Sequence, residues 1–259
     1  MNLAFGFGPV EAEFWRWLFV MTRIGAALFA APFFGASAVP MQARVIVTGA
    51  VAVLVCNWTG VQAPAAMFSL GGVLSVAGEV LIGLALGFVL QVAFAAPTVA
   101  AEVIGAGMGM SIATAADPQT GAHSPALGQY FGIVLTLVFL GLGGHLLFLD
   151  LVVKSYVTFP PGHTWLGPER LEMVAGFGSY MFATALAIAL PVTLILLLVQ
   201  LAAGVLSRSA PSLNLFALGL PAGVIAGVAV LIISAPLTGD MMADLAADGL
   251  AQAAKVIDP

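Results

Sequence analysis

Residues 173–207 contain no Asp, Glu, Lys or Arg, and neither do residues 45–78, 80–101, 118–149 and 209–239. No other feature constrains the fold as tightly. A helix needs about 20 mostly apolar residues to cross the hydrocarbon of a bilayer, and several of these runs exceed that. In lipid, only helices or a closed barrel satisfy every backbone N–H and C=O group. The runs lack the strict two-residue alternation of barrel strands, so helices are expected. Only 7% of the 259 residues are charged, against about 25% in soluble domains. The sequence therefore predicts an all-α integral membrane protein of long, partly kinked helices.

Proline and glycine punctuate the runs. Helices are expected over 14–31, 44–61 and 68–96, with Pro97 at the end of the third and 99–116 as a possible kinked continuation. A polar run, 117–124, follows. Further helices are expected over 127–157, over 171–206 with Pro191 as a kink, and over 213–233 with Pro221 early. Residues 240–257 read as a weakly amphipathic helical tail. Glu11 and Glu13 precede the first apolar run, and Arg16 and Arg23 lie within it, so no secretory signal is expected.

Glycines recur at small-xxx-small spacing: Gly83 with Gly87, Gly105 with Gly109, Gly128 with Gly132, and Gly219, Gly223 and Gly227 in series. Apolar side chains gain little from leaving lipid, so helices associate there through close backbone approach at small residues. This pattern suits a subunit that packs on itself or on partners. The seven Lys and Arg residues are scattered, so the excess of cations in cytoplasmic loops gives no clear orientation.

Chemistry is sparse. A net charge of −5 argues against nucleic acid as a partner. Cys56 is the only cysteine, expected as a small buried apolar residue, and it excludes an internal disulfide. The glycines of GAGMGMS lack dinucleotide-binding spacing, and His123, His145 and His163 have no i, i+4 partner for a metal. No catalytic, cofactor or metal site is expected, and no enzymatic activity.

Ionisable groups in apolar surroundings remain: Glu79, Glu102, Asp117, His145, Asp150 and Lys154. Each costs at least about 2.5–3.5 kcal/mol at the centre of a spanning helix and is a functional candidate for that reason. Asp150 and Lys154, four apart on one helix, are expected to neutralise one another. Glu102 suits a helix end facing water. Glu79 shares a helix face with Gly83, Leu86 and Leu90, and both a structural, hydrogen-bonded role and a transport role fit it. Two classes follow: an ion-coupled transporter relaying protons through Glu79, Glu102 or Asp117, and a subunit of a larger membrane channel. Transporters commonly carry paired internal repeats, which this chain lacks.

The motifs, taken in order, carry a resemblance. RIGAALFAAPFFGASAVPMQAR, EVLIGLALGFVLQVAFAA, EVIGAGMGMSIATAADP, GQYFGIVLTLVFLGLGGHLLFLDLVVKSY, LPVTLILLLVQLAAGVLSRSAP and LNLFALGLP cover most of residues 22–221. The chain resembles the FliR family of type III secretion export-gate membrane proteins, which includes an injectisome counterpart; the flagellar branch looks closer. The resemblance implies a subunit that forms, with FliP-like and FliQ-like membrane subunits, the pore for unfolded export substrates. A further export-apparatus membrane protein is an implied partner. The implied place is the bacterial inner membrane at the base of the flagellar basal body. It implies tilted helical hairpins, with residues 1–165 FliP-like and 170–259 a FliQ-like hairpin and tail.

The resemblance also implies a plug that closes the channel, about residues 105–124, through Gly107, Met108, Gly109, Met110, Ser111, Thr114, Asp117, Pro118 and Gly121. Small residues, with Pro118 and Gly121, keep a regular helix from persisting through this stretch. Relatives often carry glutamine where this chain has Gly107, so a side-chain hydrogen-bonding group is missing here. Glu79, Gly83, Gly87, Arg208, Pro211, Asn214, Gly219 and Pro221 are the implied structural and assembly positions. Arg208 also fits a helix-end charge reaching water, and Asn214 a helix cap near Pro211.

Overall fold

The computed structural model describes residues 9–35, 39–110, 125–161, 167–209 and 215–257. Among these, seven α-helices and no strands occur: α1 (Pro9–Ala30), α2 (Met41–Trp58), α3 (Leu70–Gly107), α4 (Pro125–Gly141), α5 (Gly144–Thr158), α6 (Pro168–Ser209) and α7 (Leu215–Ile257). The chain is an all-α integral membrane protein. Four helices contain stretches long and apolar enough to cross a membrane, namely α2, α3, α6 and α7, and the interrupted pair α4 and α5 would make a fifth span.

Two expected boundaries are corrected. The helix expected over 127–157 is two helices, because the chain breaks at Gly143, whose φ of +71° is a left-handed conformation that a Cβ disfavours. Leu142 still donates its N–H to Val138, and Leu146 donates to Gly143, so little hydrogen bonding is lost at the break. In the opposite sense, the helices expected over 213–233 and 240–257 are one, since α7 runs unbroken through Pro221 and Pro236. Pro97 and Pro191 likewise lie inside α3 and α6. Spanning helices tolerate proline because neighbours and local adjustment re-satisfy the backbone groups it frees.

The chain forms two compact units. The first comprises Met1–Ala93, Gly143–Gly178 and Ala247–Pro259. In it, α1 buries Phe19, Val20, Arg23, Ile24, Ala27 and Leu28, a stripe with the spacing of one helix face. The α1 and α2 helices pack as an antiparallel hairpin. Trp17 Nε1 donates to the Gly49 carbonyl at 3.0 Å, and Arg16 Nη2 donates to the carbonyls of Cys56 and, at 2.6 Å, Thr59, at the C-terminal end of α2. Those carbonyls lack helical partners, and a cation there also meets the negative end of the helix dipole. The α3 helix runs beside α1 in the same direction. Cys56 is half-buried.

The second unit comprises Phe94–Leu142 and Ser179–Ala246. Its core takes Phe131, Leu135 and Phe139 from α4, Ala189, Val192 and Leu196 from α6, and Ala100 and Ile104 from α3. Phe94 meets Phe139 edge to face at 5.3 Å between ring centres.

Candidate functional site

Two clusters of the residues named above stand out, one in each unit. In the first, the α1 stripe turns Arg23 inward with its apolar neighbours, and α3 brings Glu79 to it from the adjacent helix. Arg23 Nε donates to Glu79 Oε2 at 2.8 Å, and Nη2 donates to Oε1 at 2.9 Å, a two-pronged ion pair. Arg23 is 0% and Glu79 2% exposed. The remaining donors reach the C-terminal end of α5. Nη1 donates to the Ser155 carbonyl at 2.7 Å and to Ser155 Oγ at 3.1 Å, while Nη2 also donates to the Phe159 carbonyl at 2.9 Å. The Tyr156 ring lies 4.2 Å from the guanidinium carbon, and its hydroxyl donates to the Val20 carbonyl at 2.7 Å.

A single arginine therefore joins α1, α3 and α5. Both carboxylate oxygens of Glu79 are taken by Arg23, which is the geometry of a structural pair. One turn along α3, Gly83 and Gly87 make the close approach possible. A Cβ at Gly83 would overlap the Arg23 carbonyl and lie 2.9 Å from Ala26 Cβ, and one at Gly87 would lie 2.6 Å from Ala30 Cβ. The sequence reading missed Arg23. The signal was there: a cation in the apolar run of α1 is as costly as Glu79 and opposite in sign.

The second cluster surrounds the end of α3. Gly107 is its last helical residue, and Gly109 has φ +81°. The Gly107 carbonyl accepts a hydrogen bond from Gln200 Nε2 of α6 at 2.7 Å. A cavity of about 300 Å³ beside it is lined by Thr193, Leu194, Leu196, Leu197 and Gln200. A Cβ at Gly107 would lie 3.2 Å from Leu196 Cδ1, so a side chain there is tight. Met108 is 3% exposed and packs on Gly223 and Gly227 of α7. Met110 is half-buried.

Of the other expected positions, Ser111, Thr114, Asp117, Pro118, Gly121, Pro211 and Asn214 lie outside the described residues. Gly219 falls in the first turns of α7, Pro221 is exposed on it, and Arg208 is exposed in the last turn of α6. Glu102 is exposed near the end of α3, and Asp150 and Lys154 form an exposed pair at 2.6 Å. His145 is half-buried beside Phe33. No group of three His, Cys, Asp or Glu side chains that could hold a metal occurs among the described residues.

Fold and site together define a class: an all-α integral membrane protein whose described residues include a buried ion pair and glycine-mediated helix contacts. Its residues 14–249 match the family model of bacterial export proteins, family 1. It is 32% identical over 236 residues to flagellar biosynthetic protein FliR of Escherichia coli K12, covering 88% of this chain and 89% of that protein. With flagellar biosynthetic protein FliR of Bacillus subtilis 168 it shares 34% identity over 219 residues, 83% of this chain and 84% of that one. The chain belongs to the bacterial export proteins, family 1, together with the FliR proteins.

Proposed function

We propose that the chain is a subunit of the flagellar type III protein-export gate, in the bacterial inner membrane at the base of the basal body. With FliP-like and FliQ-like subunits it forms the pore through which unfolded flagellar proteins leave, and residues 107–124 gate that pore. Residues 1–165 take the FliP-like place and 170–259 the FliQ-like place in the assembly. The observation that carries the reading is the match to flagellar FliR proteins across nearly the whole chain.

Helix length supports it. With a rise of 1.5 Å per residue, the 38 residues of α3 span about 57 Å and the 42 of α6 about 63 Å. Hydrocarbon is about 30 Å thick, and tilts reach about 40°, so neither helix fits inside the hydrocarbon. Yet α6 keeps Phe182, Leu186, Leu190, Leu194 and Leu198 exposed at four-residue spacing. That stripe covers about 24 Å, and the exposed Leu201, Val205 and Leu206 carry it to about 36 Å, so its end beyond the hydrocarbon suits cover by neighbouring subunits.

Co-purification tests the assembly. An affinity-tagged chain, expressed with the FliP-like and FliQ-like proteins of the same bacterium, is expected to retain both through detergent extraction. A tagged chain recovered as a lone, stable monomer that moves a small ion would replace this reading with the transporter.

A further inference from the structure

Met108 is the only buried residue among 106–110. It lies just past the last helical residue of α3, where the backbone has begun to leave the helix: its own N–H still reaches the Ile104 carbonyl at 2.9 Å, while Gly109 N–H bonds Ala106 at 3.0 Å and turns left-handed. Two contacts stand out among those that hold this end. One is the Gln200 hydrogen bond to the Gly107 carbonyl. The other is a notch on α7 formed by Gly223 and Gly227, which are buried one turn apart.

The notch fits the methionine closely. A Cβ added at Gly227 would overlap Met108 Cε and lie 2.6 Å from its Cγ and 3.0 Å from its sulfur. A Cβ at Gly223 would lie 3.0 Å from the Met108 carbonyl oxygen. Methionine is unbranched and adapts to irregular gaps, so a flexible side chain fills the notch. The two glycines offer it backbone rather than side chains that would have to give way.

We propose that Met108 in the Gly223–Gly227 notch is a releasable latch, holding the end of α3 against α7 while the gate is shut. The proposal rests on the gating reading of residues 107–124 and names what restrains that segment at its root. Release means Met108 leaving the notch and Gly107 parting from Gln200.

The test uses the full complex with its FliP-like and FliQ-like subunits, in a Cys56→Ala background that removes this chain's one native thiol, and labelling is read on this chain after separation of the subunits. Met108→Cys and Gly227→Cys are combined. A Cβ at Gly227 lies 2.6 Å from Met108 Cγ, the place that a cysteine sulfur at 108 would take, so the two sulfurs can meet. Under mild oxidant, both thiols are expected to become unreactive to maleimide, whereas a Met108→Cys, Gly239→Cys pair keeps its thiols. Export by the oxidised complex is expected to fall to background and to return on reduction, while each single-cysteine variant ignores the oxidant. Thiols that stay reactive, or export by the cross-linked complex at its reduced rate, overturn the latch. The gating reading fails by a different result: a partial deletion of 107–124 that leaves ion leak unchanged in an assembled complex.

Discussion

Replacing Glu79 by glutamine would leave the Arg23 guanidinium buried against Ser155, Tyr156 and Phe159 without its counter-charge. Removing one partner of a buried pair costs about 3–5 kcal/mol, because the orphaned charge stays desolvated. The Glu79→Gln complex is therefore expected to lose much of its folded fraction on heating in detergent, and Arg23→Met with Glu79→Leu to recover most of it. Export by that double variant at the parental rate would also rule out a proton relay through Glu79. A glycine comparison is equally direct. Gly83→Ala drives a methyl into the Arg23 carbonyl, and overpacking of this kind costs about 1–3 kcal/mol. Gly132→Ala meets nothing within 4 Å and is expected to be neutral in the same melting assay. The need for Glu79 to find a partner was legible in the sequence, from one acid in an uncharged run. Which arginine supplies it was not, because the two lie 56 residues apart and only the packing of α1 on α3 brings them together.

At the scale of elements, apolar runs punctuated by proline and glycine located the helices, and the errors fell where a backbone conformation decides the outcome. Hydrophobicity continues through Leu142, so the break at Gly143 leaves no trace in an apolar profile; the doubled glycine was its one sign. The reverse error fell at 233–240, where α7 runs on through Pro236, because neighbours and local adjustment in a membrane re-satisfy the backbone group a proline frees. The break gives a sharp contrast. Gly143→Ala puts a Cβ into a left-handed residue and is expected to cost about 1–2 kcal/mol, with the space around it open. Gly141→Ala, two residues away in a helical turn with equally open space, is expected to leave the melting temperature unchanged. Equal effects from both would mean that the turn at Gly143 is not a fixed feature of the fold.

For the whole molecule, family and membrane character were readable in the order of the motifs and the scarcity of charge. The notch that seats Met108 was not, since Gly223 and Gly227 read equally well as contacts to any neighbour. On the proposed reading, helices of about 57–63 Å with apolar outer faces are covered by neighbouring subunits. If that reading holds, the chain produced without FliP-like and FliQ-like proteins accumulates poorly and is degraded, and co-expression restores its level on an immunoblot. The most direct measurement of the central claim is ion flux across membranes that carry the assembled complex, with and without residues 110–114. A gate subunit predicts a complex that still assembles but leaks ions several-fold faster after the deletion. An intact, assembled complex whose leak is unchanged would contradict the account.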